Sequence, residues 1–253
     1  MTVDCRDIDG GIRILTLNNP PANAFNRTLL TDLGAAADAA KRDDRVRAVV
    51  VTGAGTFFSG GLDLAEVSSP SQGEVFGATF GSNDGVFALW TLPKPTIAMV
   101  NGHAIAGGAI LCLACDVRIG AGARTKIGLN ETAIGLPFPS GAYEIAALAL
   151  SHQQARRVLL EAELHTLDAA RTLGMIDEVV EPAALEAVCM ERARRLASYS
   201  PVAYEDTKRR LQHEAVQRVL IETDEQRRAT TSIWASADVQ AIVKQQLSRL
   251  KTK

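Results

Sequence analysis

Two glycine-bearing loops are the first places where this chain shows residues suited to chemistry. One reads Phe58-Ser59-Gly60-Gly61-Leu62-Asp63-Leu64, the other Asn101-Gly102-His103-Ala104-Ile105-Ala106-Gly107-Gly108. The first follows a β-branched run over 46–52 that ends in Gly53-Ala54-Gly55. The second follows the apolar run Thr96–Val100 and leads into small residues with helical character. A turn from strand to helix leaves backbone N–H groups unpaired and points the positive end of the helix dipole outward. Glycine there lets a ligand approach the main chain closely. Either loop alone also fits a simple tight turn. Two of them converging would offer two N–H donors to one oxygen, which is an oxyanion hole.

Other motifs fail on inspection. Gly53-Ala54-Gly55 imitates the start of a dinucleotide fingerprint, but the third glycine position is Phe58 and no acid follows at a strand end. The spacing of Gly102 to Gly107 suits a phosphate loop, yet Gly108 stands where the lysine must be. Ser59 and Ser140 both lack the glycine that would precede a strained nucleophilic serine. His103, His152, His165 and His213 have no metal-ligand spacing, so no metal site is expected. His152 and His165 lie in charged helical surroundings and read as solvated, whereas His103, within a glycine-rich loop, is a candidate for substrate contact. Cys112 and Cys115 form C-x-x-C inside an apolar run, away from the exposed helix start that activates such pairs, and read as buried and inert.

The elements that must position the loops are legible from pattern. Val3–Ile8 and Ile12–Leu17 flank Asp9-Gly10-Gly11 as a hairpin. Leu29, Leu30, Leu33, Ala37 and Ala40 recur at helical spacing, predicting a helix over 26–42. Residues 68–83 read as a loop with some helix over 76–90. Short strands are expected at 117–119 and Lys126–Gly128. From Ser140 onward the pattern is helical, interrupted by a strand within 175–180 and by Ser200-Pro201. Val239, Ile242, Val243, Leu247 and Leu250 share one face of the last helix, which could pack on its own core or on a neighbouring subunit. No internal repeat is visible. The order of elements gives an α/β fold with a helical tail.

Bulk properties exclude several classes. The 253 residues carry a net charge of −2 and no long basic run, so neither nucleic acid nor a membrane surface is an expected partner. Four scattered cysteines make no disulfide framework. The first eleven residues have three aspartates and no apolar segment, unlike a signal or transit peptide. A cytoplasmic location is the expectation.

Together the two loops carry a resemblance. Phe58 to Leu64 resembles the F-S-A-G-x-D-L loop of the crotonase (enoyl-CoA hydratase/isomerase) superfamily. Lys94-Pro95-Thr96-Ile97-Ala98-Met99-Val100-Asn101-Gly102-His103-Ala104, through Gly107-Gly108 and Cys115-Asp116, resembles its K-P-x-I-A-x-V-N-G-x-A-x-G-G…C-D signature. The similarity runs from Asn19-Pro20-Pro21-Ala22-Asn23 to the last helix. It implies a crotonase-like ββα spiral core over 1–198 and a helical C-terminal oligomerisation region over 199–253, assembled as a homotrimer or a dimer of trimers. It implies an acyl-CoA substrate, with coenzyme A arriving as part of that substrate and no separate cofactor. The backbone N–H groups of Leu62 and Gly107 would hold the thioester carbonyl. Ser59, Gly60, Gly61, Asp63 and Leu64 would bind the coenzyme A portion, and Lys94 or Arg27 could meet its phosphates.

The departure from the hydratases is informative. They resemble one another in carrying two glutamates; the first position here is Ile110, which cannot move a proton, and the second is Glu131. Hydration suits paired carboxylates, whereas shifting a double bond from Δ3 to Δ2 needs one base that takes a proton at C2 and returns it at C4. Gly128-Leu129-Asn130-Glu131, with Gly135 and Pro137 after it, looks most like the mitochondrial-type Δ3,Δ2-enoyl-CoA isomerase branch. The expected activity is therefore enoyl-CoA isomerisation in fatty acid metabolism. Hydration (a lyase reaction), another thioester reaction on the same scaffold, or a silent acyl-CoA binder are the alternatives. Glu131 could also be an ordinary helix-start glutamate. As a base, its pKa should be raised by apolar neighbours such as Leu136 and Phe138, which with Ile110 would line the acyl pocket. Glu144 is a second carboxylate and a candidate for approaching the site, although a solvated helix face is its commoner fate.

Overall fold

The computed structural model describes residues 1–68 and 85–251, with the backbone alone for the last three of these. The chain opens with β1 (Val3–Ile8) and β2 (Ile12–Leu17), an antiparallel hairpin. Gly10 and Gly11 turn it at φ +89° and +72°, which side chains rarely tolerate. Helix α1 (Arg27–Arg42) starts where the Asn26 side chain accepts the Leu29 N–H at 2.8 Å. Next come β3 (Ala48–Gly53), β4 (Phe57–Ser59), a 3₁₀ turn Leu64–Val67 and α2 (Gly85–Trp90). Of the helix expected over 76–90, only this last part falls on described residues.

Then follow β5 (Thr96–Val100), β6 (His103–Ile105), α3 (Gly107–Leu113), β7 (Val117–Ala121), β8 (Lys126–Gly128) and a 3₁₀ turn Thr132–Ile134. Helices α4 (Ser140–Ala149) and α5 (His152–Glu161), β9 (His165–Thr166), α6 (Leu167–Thr172) and β10 (Glu178–Val180) lead to α7 (Leu185–Ala197). Helices α8 (Pro201–Leu220), α9 (Asp224–Trp234) and α10 (Ala237–Lys251) complete the chain.

The strands form two sheets, one in the order β1-β2-β3-β5-β7-β10 and one in the order β4-β6-β8-β9. Strands β3 and β5 are buried along their whole length because both faces of the large sheet are covered. On one face Ile14, Val50, Ile97 and Ile119 meet Leu185, Cys189 and Ala193 of α7. On the other, Leu15, Val49, Val51 and Ala98 meet α1, α2 and the rest of the main core.

The repeat that the sequence hides is structural. Strand pairs β3–β4, β5–β6 and β7–β8 each place one strand in the large sheet and the next in the small one, then turn into a helical segment. Because β4, β6 and β8 are mutually parallel, their C-terminal ends emerge along one edge. The segments leaving that edge are 60–64, 106–108 and 129–131. Ligands bind at such carboxyl ends in parallel sheets generally.

The last helices turn back over this edge. Val239 and Val243 of α10 are buried in the same core as α1, so the apolar face of the last helix packs at these positions on its own chain. Leu250 lies outside the residues whose side chains are described. Among the described residues no helix is long and apolar enough to cross a membrane.

Candidate active site

The first loop is set from beneath by two buried polar side chains. Asn23, held at φ 50°, donates through Nδ2 to the carbonyls of Ala54 (2.9 Å) and Phe57 (2.8 Å). The Ser59 hydroxyl donates to the Asn23 carbonyl at 2.8 Å and accepts the Gly61 N–H at 3.1 Å. Phe25 then bonds to the residues on either side of Leu62: its N–H goes to Gly61 O (2.7 Å) and its carbonyl accepts Asp63 N–H (3.0 Å). Since successive peptide groups in a bridge alternate in direction, the Leu62 N–H must face away from Phe25. Among the described residues it has no protein acceptor.

The second loop arrives against the first. Ala106 adopts φ 52° and ψ −125°, a conformation that costs a non-glycine residue about 1–3 kcal/mol. This sharp turn starts α3 at Gly107, whose N–H precedes the first helical bond, made by Ala109 or Ile110 to Ala106 O. Contact between the loops is close enough to exclude a side chain. A Cβ on Gly61, which has φ +80°, would stand 2.5 Å from Ile105 O and 2.8 Å from Gly107 N. Two free amides, Leu62 and Gly107, are thereby brought to the wall of one cavity.

Glu131 enters from the end of β8. Its carbonyl accepts the N–H groups of Ile134 (3.0 Å) and Leu136 (2.9 Å), while the Thr132 hydroxyl ties the turn to Leu159 O at 2.9 Å. Glu131 stands at the start of the 3₁₀ turn, but its side chain caps nothing there. The residue as a whole is half-buried, but Oε2 is sealed from solvent and has no partner. This desolvation raises the pKa from 4.5 to about 8, only partly offset by a hydrogen bond from its own backbone N–H. At neutral pH most of the free protein therefore carries Glu131 protonated, at a value suited to both taking and returning a proton. Asn130 Oδ1 is likewise buried without a partner.

The cavity measures about 530 Å³. Gly60, Leu62, Asp63 and Leu64 line it, as do Gly107, Ile110, Glu131, Leu136 and Phe138, so nearly every expected site residue meets here. Ser59 and Gly61 do not. Ser59 is fully buried and shapes the loop through its hydroxyl, while Gly61 lets the two loops touch. Asp63 shares the wall, but its carboxylate caps the 3₁₀ turn by accepting the Ala65 N–H at 3.0 Å.

Several expectations are corrected. Glu144 is neither solvated nor at the cavity; it is buried and held by two bonds of 2.9 Å from Arg218. Lys94 donates to Ala40 O (2.7 Å) and Asp43 O (2.8 Å), closing the end of α1 instead of facing a phosphate. Ring nitrogen Nδ1 of His103 accepts the Lys126 N–H at 3.0 Å, joining β6 to β8, and the ring packs against Phe57 of the cavity wall without lining the cavity itself. His165 is buried in β9 against Ile127. Burial pushes the Cys112 thiol up to about 12 and Cys115 well above the usual range, consistent with inert thiols.

Sequence reasoning missed Trp234, Gln246 and Leu247, which reach the cavity from the last two helices. A second cavity of about 410 Å³ lies between α4 and α8. Its charged groups are already engaged, Asp116 Oδ2 accepting from Lys208 Nζ (2.9 Å) and from the Tyr204 hydroxyl (3.0 Å) and Arg118 donating to Asp177. Among the described residues no group of His, Cys, Asp and Glu is arranged to hold a metal.

Comparison with known proteins places these features in context. Residues 7–251 match the enoyl-CoA hydratase/isomerase family. A probable enoyl-CoA hydratase, echA17, of Mycobacterium avium is 33% identical over 174 residues, 69% of this chain and 67% of that protein. The short-chain-enoyl-CoA hydratase of Clostridium acetobutylicum is 31% identical over 199 residues, 77% and 75% of the two chains. The crystal structure of human mitochondrial delta3-delta2-enoyl-CoA isomerase superposes with a TM-score of 0.92 at 25% identity, covering 100% of this chain and 99% of that one.

Proposed function

The chain belongs to the enoyl-CoA hydratase/isomerase family, and we propose that within it the protein moves a double bond from Δ3 to Δ2 in an enoyl-CoA, using one carboxyl group. The observation that carries this reading is the solitary acid. Among the described residues lining the cavity, Glu131 is the only one whose carboxylate is not already engaged, since Asp63 caps a turn and Ile110 occupies the other expected acid position. Glu144, the remaining candidate, is taken by Arg218.

In this reading the thioester carbonyl accepts the Leu62 and Gly107 N–H groups. Glu131 in its ionised form takes a C2 proton, and negative charge moves to the carbonyl oxygen as the enolate forms. The two amides stabilise that charge without reorganising; loss of one such donor typically costs about 3 kcal/mol of barrier. The same carboxyl then returns the proton at C4, and the double bond comes to rest in conjugation with the thioester. The coenzyme A portion follows the Gly60–Leu64 edge, and Ile110, Leu136 and Phe138 receive the acyl chain. No metal or separate organic cofactor enters the scheme. A homotrimer or dimer of trimers remains part of the proposal, supported by apolar side chains left exposed on the helices, such as Val202, Leu211 and Leu220.

Hydration is the second reading, favoured by the similarity to two bacterial proteins that are named as enoyl-CoA hydratases, one of them as probable. The two are separated by incubating the protein with a 3-enoyl-CoA and, in parallel, with a 2-enoyl-CoA while following conjugated-thioester absorbance. Appearance of the chromophore from the first without its loss from the second supports isomerisation. Comparable loss from the second would replace it with hydration.

A further inference from the structure

We propose that Trp234 closes the far end of the acyl cavity and thereby sets the longest acyl chain the protein accepts, an inference that rests on the acyl-CoA reading above. Trp234 is 4% exposed and ends α9, more than a hundred residues from Glu131 in sequence. Its position is fixed from two sides. The indole N–H donates to Pro137 O at 3.0 Å, in the segment that follows Glu131. Its own carbonyl accepts Gln240 Nε2 at 2.9 Å, and that same nitrogen donates to Val67 O at 3.0 Å, just beyond the loop that carries Leu62. The residue is thus tied to both walls of the site, the indole through Pro137 and the backbone through Gln240.

What lies on its two sides differs in character. Facing the acyl cavity are Ile134, Leu136, Phe138 and Ala142, an apolar lining suited to an alkyl tail. Behind it is a chamber of only about 10 Å³, and Pro139 and Trp234 are the residues common to both spaces. That chamber is polar. Glu222 pairs with Arg227 at 3.4 Å and accepts the Ser140 hydroxyl at 2.9 Å. A tail gains by filling the first space, and would have to displace the indole and disturb paired charges to enter the second. The chain-length limit therefore resides in one ring at the boundary between an apolar and a polar compartment.

The test measures the affinity of saturated acyl-CoAs, from butyryl to tetradecanoyl, by calorimetry; these ligands need no turnover. While the tail is entering the cavity, affinity should rise by about four-fold per methylene, then level off where the tail meets the indole. In Trp234→Ala the levelling should move to longer chains, with butyryl-CoA affinity little changed. Levelling at the same length in both proteins overturns the inference. Failure of every acyl-CoA, butyryl-CoA included, overturns the acyl-CoA reading itself and this inference with it.

A second measurement leaves Trp234 in place in case the alanine variant does not fold. The chain has two tryptophans, so Trp90→Phe makes Trp234 the sole indole reporter. Its emission should change only once the acyl chain reaches the levelling length. A change that coenzyme A alone produces, or that is the same for all lengths, overturns the assignment.

Discussion

Replacing Glu131 by glutamine should make the protein more stable at alkaline pH, and the size of the effect follows from burial. The carboxyl titrates at 4.5 in an exposed setting and at about 8 in the folded protein. Below the first value both folded and unfolded states are protonated, so the group costs nothing. As pH rises between the two values the unfolded chain releases the proton and the folded protein keeps it, and stability falls by about 1.4 kcal/mol per pH unit. Above the second value the loss is complete, because the folded state then carries an ionised carboxylate with a sealed, unpartnered oxygen. Rounding at both ends leaves a loss of roughly 3 kcal/mol between about pH 5 and about pH 8. Glutamine has nearly the same shape and no titration. Urea unfolding of both proteins across that window isolates the term, since every other group titrates alike in the two. The glutamine variant should lie near the wild type at the acid end and exceed it by roughly 3 kcal/mol at the other. A difference that does not change with pH would refute the claim that Glu131 is desolvated, and with it the reason for its raised pKa.

Other consequences follow from the same geometry. Ionised Glu131 is the active form of the free protein, so kcat/KM should climb with pH and inflect near 8; an inflection in the ordinary carboxylate range would contradict this. Gly61→Ala should lower kcat by at least about a hundred-fold, because the added Cβ would stand 2.8 Å from Gly107 N and force the two amides apart; steady-state kinetics with a 3-enoyl-CoA reads it directly. Glu144→Gln should leave kcat within about two-fold while lowering stability by about 1 kcal/mol, a small figure because Arg218 is half-exposed. Loss of turnover in that variant would instead restore Glu144 as a second acid.

Much of the site was legible because its parts are local. Strand-to-helix turns at 60–64 and 106–108 announce themselves by glycine after a β-branched run, and the fold brings them together because β4 and β6 are parallel neighbours. The repeating strand pairs were not legible, since β4, β6 and β8 are three residues each and too short to show a period. Lys94 and Glu144 went astray for one reason: each is decided by a distant partner, the end of α1 and Arg218, that no spacing rule reveals. Trp234 follows a polar stretch, Asp224 to Ile233, that gives no hint of a cavity wall; only the return of the last helices over the strand ends brings it there. Ser59 shows the converse, a residue placed in the right loop whose side chain faces inward to hold the loop's shape.

The central claim is that one carboxyl group both removes and returns the proton. It is tested most directly by starting from a 3-enoyl-CoA carrying deuterium at C2, in ordinary water, and locating the label in the 2-enoyl product at early conversion. With Glu131 Oε2 sealed from solvent, part of the deuterium should reappear at C4, and Glu131→Gln should abolish the transfer. Product formed by the wild type with no deuterium at C4 would contradict the account, because the returned proton would then come from water or from a second acid.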